Sequence, residues 1–344
     1  YTEYGMQRIP VREYKQQAGR AGRPKYDSAG EAIIVARSEP EKEELWSSYI
    51  EGTPEDVNSA LAYWPVLRMQ TLAAIASHFI FDYASLEDFF SKTFYCKQYG
   101  KLSSLVERIH EIIDELIDYG FVEERNDKLL ATALGKRVAE LYLDPASANA
   151  MIKCLRQELT ELGCLYCIVD TTEFSPLLRV SRNKESELWN ELLTRENELP
   201  IDVSRQQFFD EHLLEKFYST LMLEDWINEK SEQDIMENYR VQPGILHSKL
   251  QICDWLAYAC SELAKLIDAK ENAIKMRKMR KRLKHGVKEE LLGLVELRYI
   301  GRVRARRLYR AGIRSISNLK KTDIKDLVRI LGVKIAKKIK EQLK

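Results

Sequence analysis

The 344-residue sequence has no run of about 18 apolar residues, which excludes a helical membrane span. No secretory signal pattern opens it, so a cytoplasmic setting is expected. Cysteine is scarce: Cys96, Cys154, Cys164, Cys167, Cys253 and Cys260. Only Cys164-x-x-Cys167 has ligand-like spacing, and no second pair or close histidine pair supports a metal site; buried thiols in a reducing compartment are the expectation. A G-x-x-x-x-G-K-[ST] loop is absent as well, since Gly135-Lys136 is followed by Arg137 and lacks the upstream glycine. No Asp-Glu pair follows an apolar strand. The lysine, the Mg²⁺ ligands and the phosphate cradle of a nucleotide-hydrolysing loop are therefore missing from these residues.

What is present is a globular composition, 45% apolar and 31% charged, of a length that suits two to four domains. The net charge of +1 conceals an asymmetry. Residues 275–344 hold 24 Lys and Arg against 6 Asp and Glu, a balance of +18, and the rest of the chain carries −17. A basic tail on an acidic body points to nucleic acid, bound by neutralising phosphates; a merely solvated basic face is the alternative.

Gln16-x-x-Gly19-Arg20-x-Gly22-Arg23-Pro24 is the most informative stretch. If it is helical, Arg20 and Arg23 lie three apart on one face, and two permanently charged planar donors suit a polyphosphate. By itself such a segment also reads as a surface turn with two solvated arginines. The full pattern resembles motif VI of superfamily 2 helicases, and Gly22-Arg23-Pro24 resembles its Ski-like branch. Further matches run through Ala29-Gly30-Glu31-Ala32-Ile33-Ile34-Val35, Pro243-Gly244-Ile245-Leu246, Asp254-Trp255-Leu256 and Arg298-Tyr299-Ile300-Gly301-Arg302-Val303-Arg304-Ala305. Together they resemble the archaeal Hjm DNA helicases over almost the whole chain. The resemblance implies Arg20 and Arg23 as the pair that senses the γ-phosphate of ATP, with Gln16 and Gly19 beside them. ATP and Mg²⁺ would be held mainly by an N-terminal RecA-like domain. The chain, opening at Tyr1 and reaching motif VI within sixteen residues, is expected to be the C-terminal portion of such a motor.

The expected fold is mainly α. Residues 1–44 would finish a RecA-like α/β domain, with a helix over Tyr14–Arg23 and a short strand over Glu31–Ala36. Residues 45–143 would form a linker helix and a winged helix, Thr53-Pro54 opening another helix and Asn126-Asp127 turning the wing. The third helix of that module carries Glu107, Glu111, Asp114, Glu115 and Asp118, which argues against insertion into a DNA groove and for packing. Residues 144–285 would be a helical bundle whose last amphipathic stretch runs over 244–283. Within it Trp255 reads either as core or as a base-stacking platform. The resemblance implies the latter, on a ratchet helix under single-stranded DNA. Where that family has an arginine, seven residues upstream, this sequence has Ser248, leaving Lys249 or His247 to substitute.

Residues 286–344 show two helix-turn-helix units around Gly301 and Gly332 that resemble helix-hairpin-helix elements, each with one glycine where two are usual. A glycine there lets backbone N–H groups approach a phosphate. Arg302, Arg304, Arg306, Arg307 and Lys334 surround these turns and are expected to bind nucleic acid. The resemblance therefore implies part of an ATP-dependent 3′–5′ helicase acting on single-stranded and branched DNA, working with repair or recombination proteins and away from membranes. A Ski-like RNA helicase and a non-catalytic DNA-binding scaffold remain alternatives. One outcome follows directly from the missing loop: phosphate release by the 344-residue chain should stay at background with or without single-stranded DNA, and DNA-stimulated turnover would refute it.

Overall fold

The computed structural model describes residues 8–22, 25–100 and 102–343, and within these the chain forms two compact units. The first runs to Ala60 and takes in Phe94–Gly100. Its leading helix, α1 (Val11–Ala18), starts at Pro10, whose φ of −59° pre-sets the entry, and ends at Gly19. Two of its orphan N–H groups, on Val11 and Arg12, donate to the Glu55 carboxylate at 2.7 and 2.8 Å. Ser38 caps α2 (Glu39–Leu45), which runs into a π-type turn over Trp46–Ile50. From that turn Tyr49 reaches back, its ring edge-on to Tyr14 at 5.2 Å and its hydroxyl donating to the Ile9 carbonyl at 2.6 Å.

Three expectations are corrected here. The first helix stops at Ala18, so Arg20 sits in a turn, and Arg23 and Pro24 lie outside the described residues. Glu31–Ala36 forms no strand, because no described segment pairs with it. Thr53-Pro54 opens no helix; Glu55 is drawn away to cap α1.

The second unit begins with the winged helix. It consists of α3 (Trp64–Ala76), α4 (Tyr83–Ser91), α6 (Leu102–Asp118), the hairpin β1 (Val122–Arg125) and β2 (Lys128–Ala131), and α7 (Ala133–Glu140); α5 (Phe94–Tyr99) groups with the first unit. Leu67, Ile75, Phe90, Ile109, Ile112 and Leu129 are among its fully buried side chains. The strands pair antiparallel from Val122↔Ala131 to Arg125↔Lys128. Asn126 and Asp127, both at positive φ, make the two-residue turn that matches strand twist.

A bundle follows: α8 (Pro145–Leu155), α9 (Glu161–Val169), α10 (Arg182–Thr194), α11 (Val203–Gln206), α12 (Leu213–Ile227), α13 (Glu232–Tyr239), α14 (Pro243–Leu266) and α15 (Lys270–His285). Every residue of α9 from Leu162 to Val169 is buried. The stretch expected as one helix over 244–283 is two. The chain turns over at Ile267–Ala269, with Asp268 at φ 60°, and α15 folds back along α14. The apolar band was wide enough for either arrangement; the turn lets both helices bury it against each other.

The tail comprises α16 (Leu292–Val295), α17 (Arg302–Arg310), α18 (Ile316–Lys321), α19 (Ile324–Leu331) and α20 (Val333–Gln342) around Leu294, Leu308, Leu319, Leu327, Ala336 and Ile339. Gly301 and Gly332 immediately precede α17 and α20. Among the described residues no helix is long and apolar enough to cross a membrane.

Candidate ATP-sensing and nucleic-acid-binding sites

In the first unit the motif segment is held by backbone contact. Gly22 has φ 77°, and a Cβ on Gly30 would lie 2.4 Å from the Ala21 carbonyl carbon, so the chain can double back only with glycine there. An open cavity of about 700 Å³ lies between α1 and the 31–35 segment, with Tyr14, Arg20, Ile33 and Val35 in its lining. Gln16, Gly19 and Arg20 are exposed, and Arg20 forms no ion pair with any described residue. A free guanidinium at the lip of a cavity is available for an anion.

In the second unit α14 exposes one ridge, on which His247, Ser248, Gln251, Trp255 and Tyr258 lie within about a third of the helix circumference. Trp255 is half-buried, its indole N–H donating to the Leu141 carbonyl at 3.0 Å, so it is both a packing residue and accessible along the ridge. Beside it the Tyr258 ring lies under the Arg280 guanidinium at 5.1 Å, and its hydroxyl accepts from Arg137 at 3.2 Å. His247 is exposed and bonded to Gln251 through Nε2 at 3.1 Å.

Lys249 is a correction. It is 3% exposed, lies 4.2 Å from the Phe174 ring centroid and donates to the carbonyls of Phe174 and Pro176. Burial lowers its pKa to about 8, and a neutral amine still has the two N–H groups these carbonyls need. It positions the 174–176 loop and does not face a ligand.

Much of the positive charge of α15 is also committed. Lys278 pairs with Glu289 at 2.6 Å, Lys281 with Glu296, and Arg280 grips Asp254 through two bonds of 2.9 and 2.7 Å. Arg282 is buried between the Val287 carbonyl and Glu161, and Lys275 donates to the Leu159 carbonyl.

Two arginines of the tail are likewise turned into the fold. Arg302 lays its guanidinium 4.6 Å over the Trp226 ring and donates to the Lys230 carbonyl, and burial lowers its pKa despite the nearby acids. The Trp226 indole N–H in turn donates to the Leu283 carbonyl at 2.7 Å. Gly286, at φ 60°, lies against both: a Cβ there would meet Trp226 at 2.7 Å and Arg302 at 2.8 Å. Arg306 binds Glu229 through two contacts and Glu290 at 2.9 Å; the Glu229 hydrogen bond heads the causes that raise its pKa. Arg302 and Arg306 therefore clamp the tail to the end of α12, which corrects their expected role in binding nucleic acid. Arg304, Arg307 and Lys334 are exposed and unpaired with any described carboxylate, and Gly301 and Gly332 are open to solvent. Sequence reasoning missed Trp226 and Glu229, because their partners lie 57 to 77 residues downstream.

Cys164 and Cys167 are both buried in α9, and Cys167 Sγ packs 3.7 Å from Cys260 Sγ. Burial pushes the Cys164 thiol up to about 12, which disfavours the thiolate a metal would need.

Comparison with known proteins agrees with this layout. Residues 162–286 match the family described as archaeal helicase, domain 4, and residues 289–344 match a SAM-like helix-hairpin-helix tandem. The first match ends at Gly286, where the clamp sits, and the second begins three residues later. An ATP-dependent DNA helicase Hel308 from Methanocaldococcus jannaschii is 39% identical over 345 residues, covering 100% of this chain and 27% of its own length. The whole chain is homologous to a portion of the archaeal Hel308 helicases. The Caldivirga maquilingensis Hel308 is 40% identical over 98% of this chain and 47% of its own length. That of Thermococcus kodakarensis is 38% identical over 97% and 30%. The chain thus spans between about a quarter and a half of the Hel308 relatives it matches.

Two measurements check the reassigned cations. Between pH 8 and its ordinary value of 10.5, Lys249 binds a proton in the unfolded chain and not in the folded one, so stability rises with pH across that window. Denaturant unfolding should show that rise in the natural protein and its loss in Lys249→Met. For the clamp, a double-mutant cycle on Arg306→Ala and Glu229→Ala should give a coupling of about 1 kcal/mol or more in unfolding free energy. Additive effects would mean the pair is incidental.

Proposed function

We propose that the chain is the C-terminal portion of an ATP-dependent DNA helicase that translocates 3′ to 5′ on single-stranded DNA and acts on branched DNA such as stalled forks. The reading divides it into the end of a second RecA-like domain (1–44), a linker and winged helix (45–143), a ratchet bundle (144–285) and a helix-hairpin-helix domain (286–344). Its single strongest support is homology to Hel308 relatives along the entire chain, with the Gln16–Arg23 motif intact.

ATP supplies the free energy of each step, and its Mg²⁺ would be bound by the preceding motor domain. From this chain Arg20 and Arg23 would reach the γ-phosphate, stabilising charge that builds on its oxygens during transfer, with Gln16 and Gly19 at the same interface. The unpaired state of Arg20 beside an open cavity suits that role. Closure around the nucleotide would carry α14 along the strand, and Trp255 would hold a base through its accessible face without reading its identity. Exposed Arg304, Arg307 and Lys334 would neutralise phosphates of the emerging strand. Such a protein works on chromosomal DNA in the cytoplasm, with repair or recombination proteins as partners.

In the complete protein, Arg20→Ala and Arg23→Ala should each lower DNA-stimulated ATP turnover by about a thousandfold or more while leaving single-stranded DNA affinity within about twofold. Undiminished turnover in both would make the motif vestigial and favour a scaffold.

A further inference from the structure

We propose that Tyr299 is a stacking platform for an unpaired base, so that the first hairpin of the tail grips single-stranded DNA in preference to duplex. The inference rests on the DNA-binding reading of the tail. Each of its hairpins has one residue in the left-handed region within three residues of the start of the second helix. In the second hairpin that residue is Gly332, at φ 83°; in the first it is Tyr299, at φ 74°. A bulky side chain is disfavoured there, and a residue kept against its backbone preference points to a use for its side chain.

The surroundings of the ring say which use. Tyr299 is 37% exposed, and its hydroxyl makes no hydrogen bond with any described residue. The Arg298 guanidinium lies 5.2 Å from the ring centroid and the Lys338 ammonium 4.5 Å. Arg304 donates to the Tyr299 carbonyl at 2.9 Å. None of these three cations has a carboxylate partner among the described residues, whereas Arg306, which stacks on Tyr309 nearby, is held by Glu229 and Glu290. The corner itself is rigid, since the Gln342 side chain bonds both the N–H and the carbonyl of Arg298 at 3.2 Å. An exposed ring on a fixed corner, ringed by uncompensated cations, is the combination that binds single strands: a π-face for the base and flexible charges that swing onto the flanking phosphates. Bases of a duplex are stacked on each other and offer no such face, so duplex would meet only the cations.

The experiment is fluorescence anisotropy of the 344-residue chain with an oligothymidylate of about 20 nucleotides and with a blunt duplex of the same length, beside thermal melting. Tyr299→Gly and Tyr299→Leu should each weaken oligothymidylate binding roughly tenfold and change duplex binding by less than about twofold; Tyr299→Phe should bind as the natural chain does. Tyr299→Gly should melt no lower, because glycine accepts the positive φ, and Tyr299→Leu keeps the bulk while removing only the π-face. Single-strand affinity unchanged in both variants would overturn the proposal. So would a lower melting temperature with both affinities falling together, which would make the ring an internal staple to Lys338. If the natural chain bound neither oligonucleotide, the DNA reading itself would fall, a result distinct from a variant that matches a binding parent.

Discussion

A buried carboxylate is the central tie between the winged helix and the bundle. Asp144, 4% exposed, accepts two bonds from the Arg68 guanidinium at 2.7 and 2.8 Å and caps α8 through the Ala146 N–H. Its own N–H donates to Glu173, and Arg68 completes its set on Glu115 at 2.7 Å. Burial works against the Arg68 charge, yet its bonds to Asp144 and Glu115 raise its pKa overall. Removing one partner would strand the others in a low-dielectric site, a loss of about 3–5 kcal/mol in comparable buried pairs. The node joins α3 and α6 to α8 and the turn at Thr172–Phe174. The Trp255–Leu141 bond and the Arg137–Glu262 pair add two further points of attachment along α14 and α7. With three such links the ridge of α14 is fixed relative to the winged helix, and Trp255 is presented at a set height above that seam.

The acidic winged helix acquires a role in the same way. Glu115 of α6 turns inward to Arg68, and Lys128 of the wing closes onto Asp82 at the start of α4. Of the five acids of α6, Glu115 is the one used in packing, while Glu107, Glu111, Asp114 and Asp118 are exposed. A parallel logic governs the basic tail. Its excess of 18 positive charges looks like one phosphate-binding surface, but α15 is extensively paired with carboxylates, and Arg302 and Arg306 are tied to the end of α12. Positive charge here divides between domain attachment and a smaller unpaired set around the hairpin turns.

Local patterns were the legible part. Three helices, a two-residue Asn-Asp turn and a closing helix capped by Thr132 identify the winged helix, because each signal acts within a few residues. The helix-hairpin-helix tail was legible for the same reason. Where a single glycine departed from the usual two, the backbone supplied the explanation: Tyr299 takes the left-handed position itself. Misreadings fall where a distant partner outweighs local preference. Glu55 is taken by α1 some 44 residues upstream, so the Thr53-Pro54 signal opens no helix. The 31–36 segment has strand composition but no described neighbour, and a strand exists only through pairing.

The sequence by itself determined which residue types were available: a two-glycine, two-arginine motif, an amphipathic helix carrying Trp255, and a tail rich in cations. These follow from chain-local spacing and composition, which need no contact map. Only the tertiary structure decided what each cation does. Lys249 and Arg304 look alike on paper, yet one is sealed beneath the Phe174 ring and the other stays in water. Whether a charge faces a ligand depends on which acids and carbonyls the fold brings within about 3 Å of it, and those partners come from segments up to 125 residues away, as for Arg137 and Glu262.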